Sequence, residues 1–227
     1  MAEYDLDGLR LVLPEDLGSA GIAAKLASGG YERDEAAAVR MRLKAGMRVL
    51  EFGAGLGFLT AIAARIAGPA NVTSIEPVAA MLPVIRGNLE RNGLAGVDLR
   101  HGAVAAGVDD EVEFVTVESY IGSALAETDQ TGTLVPRADL DALLEEVTPQ
   151  AVIMDVEGAE IGLFDNPWPV KPRLVVLELH PKRYGGDEIA RIFTCMAKTG
   201  LAYDPGASRG PVVVFRRIRR KGRRAEG

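Results

Sequence analysis

The sequence predicts an α/β fold, a mainly parallel sheet covered by helices on both faces. Three observations carry this. Residues 47–60 read Met-Arg-Val-Leu-Glu-Phe-Gly-Ala-Gly-Leu-Gly-Phe-Leu-Thr, a short apolar run, glycines at alternate positions and then a helical pattern. That is the strand, glycine turn and helix of a nucleotide-type site. Apolar runs of strand length alternate with helical periodicities along the chain. Several of those runs end in an acid, at Glu51, Glu76, Asp155 and Glu178. In an open α/β sheet the ligand lies beyond the carboxyl ends of the strands.

Taken in order, residues 4–13 alternate around Asp7-Gly8 and predict a short hairpin. A brief amphipathic helix is expected over 19–26, broken by Gly29-Gly30. A second helix is expected over 32–43, with Ala36, Val39 and Leu43 on one face and Gly46 after its end. The first sheet strand covers 47–52, and its helix runs from Gly57 to Ala67. A second strand covers 72–76. Pro83 sets the start of the next helix, and Asn92-Gly93 stops it. A third strand spans 97–102, and 111–117 alternates as an added strand. Residues 120–136 lack a period and read as a loop over the site. Leu140, Leu143, Leu144 and Val147 predict a helix. Residues 151–154 and 174–177 are buried strands. Asp187 is expected to cap a helix over 188–198, ended by Gly200. Strands at 201–204 and 212–218 close the sheet edge.

Composition fits one α/β domain with small additions. The chain has 227 residues, 48% of them hydrophobic, with a mean hydropathy of +0.09. No apolar run is long enough to span a membrane, and the acidic start lacks the apolar core of a secretory signal. A cytoplasmic location is the expectation. One cysteine, Cys195, leaves no internal disulfide and no cysteine-based zinc cluster. The expected organisation is an extension over 1–30, a ligand-binding domain over 31–215 and a basic tail over 216–227. Residues 216–224 hold seven basic residues and no acid; removing that +7 from the net −6 leaves −13 on the rest. Such a tail suits RNA, an acidic glycan or a membrane surface, or is a solvated terminus.

The turn itself discriminates between cofactors. The dinucleotide fingerprint needs a small residue at position 58, where this chain has Phe58. Glu51, two residues before Gly53, would repel a pyrophosphate. S-adenosylmethionine carries a sulfonium and an ammonium and no phosphate, so the turn favours it over NAD. Glu76 stands 25 residues after Glu51, the spacing of an acid that binds ribose hydroxyls.

Several motifs together resemble the FkbM-type methyltransferases, a branch of the class I S-adenosylmethionine-dependent enzymes. They are Glu-Phe-Gly-Ala-Gly-Leu-Gly-Phe-Leu-Thr at 51–60, Ile-Glu-Pro at 75–77 with Asn88 downstream, Leu140-Asp141, Ile-Met-Asp-Val-Glu-Gly-Ala-Glu at 153–160, and Leu-Glu-Leu-His-Pro at 177–181. Tyr31-Glu32 resembles the start of that family's leading helix. The resemblance covers residues 31–181 and departs at Glu51, where Asp is commoner, and at Leu56, where Asn is usual. It implies a Rossmann-like three-layer sandwich with a seven-stranded sheet containing one antiparallel strand. It also implies methyl transfer to a hydroxyl of a small-molecule natural product or saccharide, by a monomer or a homo-oligomer.

The expected cofactor contacts are Glu51, Gly53, Ala54, Gly55 and Gly57 on the methionine part, Glu76 and Pro77 on the ribose, and Ala103 and Asp155 nearby. Asp155, Glu157 and His180 are the expected catalytic set, because a hydroxyl acceptor has to lose a proton. His180 either acts as a base near neutral pH or is hydrogen-bonded in its loop. Tyr31, Glu32 and Glu178 are placed on the substrate. Glu160 reads as negative charge in the first turn of a following helix, and His101 as a packed or exposed side chain. A metal-free site is the reading adopted; Mg²⁺ on Asp155 and Glu178 with Glu157 is the alternative. An RNA methyltransferase using the basic tail and a non-catalytic cofactor-binding scaffold are the competing functions.

Overall fold

The computed structural model describes residues 2–115, 124–125 and 132–217. The hairpin is β1 (Ala2–Leu6) with β2 (Leu9–Leu13), paired antiparallel. Asp7 and Gly8 both take the left-handed backbone that a two-residue turn needs. Next come α1 (Ala20–Ala27), α2 (Arg33–Arg42), β3 (Val49–Phe52), α3 (Phe58–Ala67), β4 (Val72–Glu76), α4 (Met81–Arg91) and β5 (Asp98–His101). β6 (Ala103–Val104), β7 (Glu111–Val115), β8 (Ala124–Leu125) and β9 (Thr133–Ala138) follow. The chain then builds α5 (Leu140–Val147), β10 (Ala151–Met154), β11 (Leu174–Glu178), α6 (Gly186–Thr199), β12 (Leu201–Tyr203) and β13 (Val212–Arg217).

The main sheet has seven strands in the order β12-β13-β11-β10-β3-β4-β5. The five from β11 to β5 are parallel. β13 runs antiparallel to both β11 and β12. Side chains on the central strands alternate between two cores. Val49, Ile153 and Val176 face α2, α3 and α4, while Leu50, Val152 and Val175 face α5 and α6. The result is the three-layer sandwich. From β3 the chain winds outward through β4 and β5, then returns to β10 on the other side. The crevice of this switch lies beyond the ends of β3 and β10, the place where such sheets bind ligands.

Three expectations change. Residues 133–136, expected in a loop, belong to β9, which pairs with β7 and β6 in a small second sheet. Pro136 escapes its missing N–H by standing opposite Glu111, at the end of the β7 pairing. Residues 116–123 and 126–131, which include most of the rest of the expected loop and the end of the strand expected over 111–117, lie outside the described residues. α6 starts at Gly186 with Gly185 as its N-cap, so Asp187 sits in the first turn instead. The 1–30 segment is built into the core: Leu9, Leu11 and Leu13 are buried with α3 and α4. Arg216 and Arg217 belong to β13; the remainder of the basic tail, 218–227, is outside the described residues. No helix among the described residues is long and apolar enough to cross a membrane.

Candidate active site

The glycine turn is shaped by what presses on it. A Cβ on Gly53 would stand 1.9 Å from the Asp155 carbonyl oxygen, so β10 closes directly against the turn. Gly57 has φ +82° and serves as N-cap of α3, with Ile85 of α4 packed beside it. Leu56, where an amide was looked for, is wholly buried among apolar residues. The amide comes from Asn88 instead. Its Nδ2 donates to the Leu56 carbonyl (3.0 Å) and to the Val12 carbonyl (3.2 Å), while its Oδ1 accepts from the Val12 N–H (2.8 Å).

A cleft opens at this turn. Gly53, Gly55, Glu76, Pro77, Ala103, Asp155, Glu157 and Glu32 line it. Its apolar wall was not read from the sequence as a surface for a ring: Ile75, Val78, Val104 and Phe114. Phe114 reaches it from β7. Glu76 is held by backbone donors, Gly55 N–H to Oε2 (2.9 Å) and Val78 N–H to Oε1 (2.9 Å). Burial pushes its pKa up to about 7 against the pull of those donors.

Other expected contacts are elsewhere. Glu51 is fully buried behind the turn, where Oε2 accepts from Thr60 Oγ1 and Ser74 Oγ, each at 2.6 Å. It does not line the cleft. Burial raises its pKa to about 7, against those two hydrogen bonds. Ala54 is packed in the core, and Gly57 acts as a helix cap rather than a lining residue. Tyr31 is buried against the turn. His101 Nε2 lies 2.9 Å from the Pro77 carbonyl and steadies the loop after β4.

Beyond Asp155 the carboxyls gather around His180. Its Nδ1 is 2.9 Å from Glu160 Oε1, and its Nε2 is 3.4 Å from Asp155 Oδ1 and 3.6 Å from Glu157 Oε2. Burial works against its charge, but the Asp155 and Glu160 carboxyls outweigh it and raise the imidazole to about 10. His180 is therefore an imidazolium at neutral pH and not a free base. Glu160 is not part of a helix; it is fully buried and faces His180. Glu178 is pushed up to about 8, first by burial and then by Asp155 and Glu35. Glu35, from α2, is buried and hydrogen-bonded to Glu178, a pairing hidden in the sequence because Glu35 looks like ordinary first-turn acid.

Asp155, Glu178 and His180 bring one donor atom each within 4.8 Å of one another. Oxygen donors plus one imidazole could hold a divalent cation such as Mg²⁺.

The family model described as Protein-L-isoaspartate(D-aspartate) O-methyltransferase (PCMT) matches residues 35–130. A protein-L-isoaspartate O-methyltransferase of Methanococcoides burtonii is 30% identical over 112 residues, covering 46% of this chain and 55% of that one. Another, of Anaeromyxobacter dehalogenans, is 31% identical over 127 residues, covering 56% and 60%. The chain thus spans little more than half the length of these relatives. A solved methyltransferase of Geobacter sulfurreducens superposes with a TM-score of 0.51 over 92% of both chains, at 16% identity. The chain has the class I methyltransferase fold. That fold and this site fit S-adenosylmethionine: Glu76 at the end of β4 lines the cleft, glycines stand where a Cβ would intrude, and a buried carboxyl oxygen on Glu32 has no donor. The matching family model is the isoaspartate one, not the FkbM-type family that the motifs resemble. Its segment holds the methyltransferase cofactor turn and Glu76 and ends before Asp155.

Proposed function

We propose that the protein is an S-adenosylmethionine-dependent O-methyltransferase whose acceptor is a hydroxyl of a small molecule or saccharide. One observation carries this reading: beside the glycine turn, Asp155 and Glu157 stand 3.4 and 3.6 Å from a charged His180, at the mouth of the cleft. The cofactor supplies an electrophilic methyl carbon on a sulfonium. A hydroxyl acceptor forms the new C–O bond as the C–S bond breaks, the electron pair staying on sulfur. Its proton needs a base, and Asp155 and Glu157 are the cleft carboxyls nearest to that work. His180 holds both and offsets their charge. These carboxyls can accept hydrogen bonds from an acceptor's hydroxyls.

A second reading has its own support. The relatives at 30–31% identity are protein-L-isoaspartate O-methyltransferases by name, so the acceptor would be an aspartyl carboxyl on a protein. Asp155, Glu157, Glu178 and His180 lie outside the matched segment 35–130.

One experiment separates them. The protein is incubated with methyl-labelled cofactor and either an isoaspartyl peptide or a small-molecule lysate fraction, then treated with mild base. A methyl ether survives; a methyl ester releases labelled methanol. Base-stable label in the small-molecule pool is expected. Base-labile label on the peptide would overturn the hydroxyl reading, and no transfer with no S-adenosylhomocysteine binding would end both. A chelator arm asks whether Asp155, Glu178 and His180 work through a cation.

A further inference from the structure

Glu51, the acid that the glycine turn's sequence offers to the methionine part of the cofactor, is turned away. It is bonded to Thr60 and Ser74 and shut off from the cleft. The ammonium of that moiety therefore needs another partner. Two residues from the start of α2 converge on the open side of the turn. A Cβ on Gly55 would meet Tyr31 Oη at 3.0 Å and Glu32 Oε1 at 3.4 Å. Tyr31 is only 4% exposed, and its hydroxyl lies beside the Glu32 carboxyl. Glu32 lines the cleft, and its Oε2 is buried without a donor. Asp155 Oδ1 is already engaged, 3.4 Å from His180 Nε2.

Glu32 is the N-cap residue of α2, yet its side chain makes no capping bond. Its backbone is left-handed, with φ +44°. A glutamate there is strained and gains nothing for the helix, so its side chain serves the cleft. Unpaired buried acceptors are costly and call for a donor. An ammonium brings three N–H donors and a positive charge. It suits the Tyr31 and Glu32 oxygens that converge beside Gly55.

We propose that Glu32 and Tyr31 are the receptor for the α-ammonium of the cofactor's amino-acid moiety. The inference rests on the S-adenosylmethionine reading above. It moves both residues from the acceptor to the cofactor. Burial, with Asp155 next, raises the Glu32 carboxyl well above the usual range. An arriving cation favours its ionised form.

The test compares two probes by calorimetry. S-adenosylhomocysteine carries the amino-acid moiety; 5′-methylthioadenosine lacks it, and both carry the ribose. Glu32→Gln is expected to weaken S-adenosylhomocysteine at least tenfold while 5′-methylthioadenosine stays within twofold, which also shows that the variant is folded. Tyr31→Phe should weaken S-adenosylhomocysteine about threefold and leave the other probe unchanged. Glu76→Ala should weaken both. Equal loss of both probes in Glu32→Gln, or no loss of either, overturns the proposal. Wild-type protein that binds neither probe overturns the cofactor reading itself.

Discussion

His180 takes its state from Glu160, a residue that the sequence invites one to pass over. The stretch Asp-Val-Glu-Gly-Ala-Glu reads as strand end plus the first turn of a helix. The chain instead turns without forming that helix, with Glu157 left-handed at φ +52° and Gly158 at +101°. This carries Glu160 under the β11 end. Local pattern showed Asp155 and Glu157 because strand ends are legible. It hid Glu160 and Glu35 because their partners, His180 and Glu178, are distant in sequence. Glu51 failed for a similar reason: its neighbours Thr60 and Ser74 offer hydroxyls that draw it behind the turn. Glu160→Gln removes one countercharge and should lower the His180 pKa by roughly a unit, since an adjacent opposite charge is worth 1–3 units. Ring-nitrogen NMR resolves this, with the only other histidine, His101, as internal reference. The wild-type ring should stay charged at pH 8. An unmoved titration would remove Glu160 from the role of positioning His180.

At the level of elements, most strands and helices were legible because apolar period two and period 3.6 are strong signals. α5 and β10 have the bounds that the sequence predicts, Leu140–Val147 and Ala151–Met154. β9 was not legible, because Pro136 and polar neighbours mimic a loop and its pairing with β7 is set by tertiary contact. Nor was the joining of the hairpin to the glycine turn, which rests on one side chain. Asn88 serves the Val12 N–H, the Val12 carbonyl and the Leu56 carbonyl at once, fully buried. Asn92 repeats the link outside, to the Arg10 N–H and carbonyl. Asn88→Ala would leave three buried backbone groups without partners, at about 1–3 kcal/mol each before relaxation. A loss of about 2–4 kcal/mol is expected in urea unfolding, together with weaker S-adenosylhomocysteine binding as the turn loosens. A variant that loses stability but keeps full affinity would show that the hairpin supports the core and not the site.

At the scale of the whole molecule, the doubly wound order follows from the alternation of strands and helices, and it brings the acids at the ends of β4, β10 and β11 to one edge. The fold thereby concentrates carboxyls where a cationic cofactor lies, and this has a consequence for stability. Glu51 and Glu76 are both raised from 4.5 to about 7, chiefly by burial. A carboxyl raised on folding binds its proton more tightly in the folded state. Its stabilising contribution is complete below about pH 4.5 and is lost as pH rises through about 7. The ligand-free protein should therefore be more stable at pH 6 than at pH 8.5. A tenfold displacement of one titration is worth about 1.4 kcal/mol. At this chain length about 1 kcal/mol moves Tm by roughly 2–4 °C. Thermal unfolding of the ligand-free chain should show Tm falling by several degrees between those pH values, and Glu51→Gln should flatten the fall by removing one of the two groups. A Tm that rises from pH 6 to pH 8.5 would mean that these carboxyls are ionised at neutral pH in the folded protein.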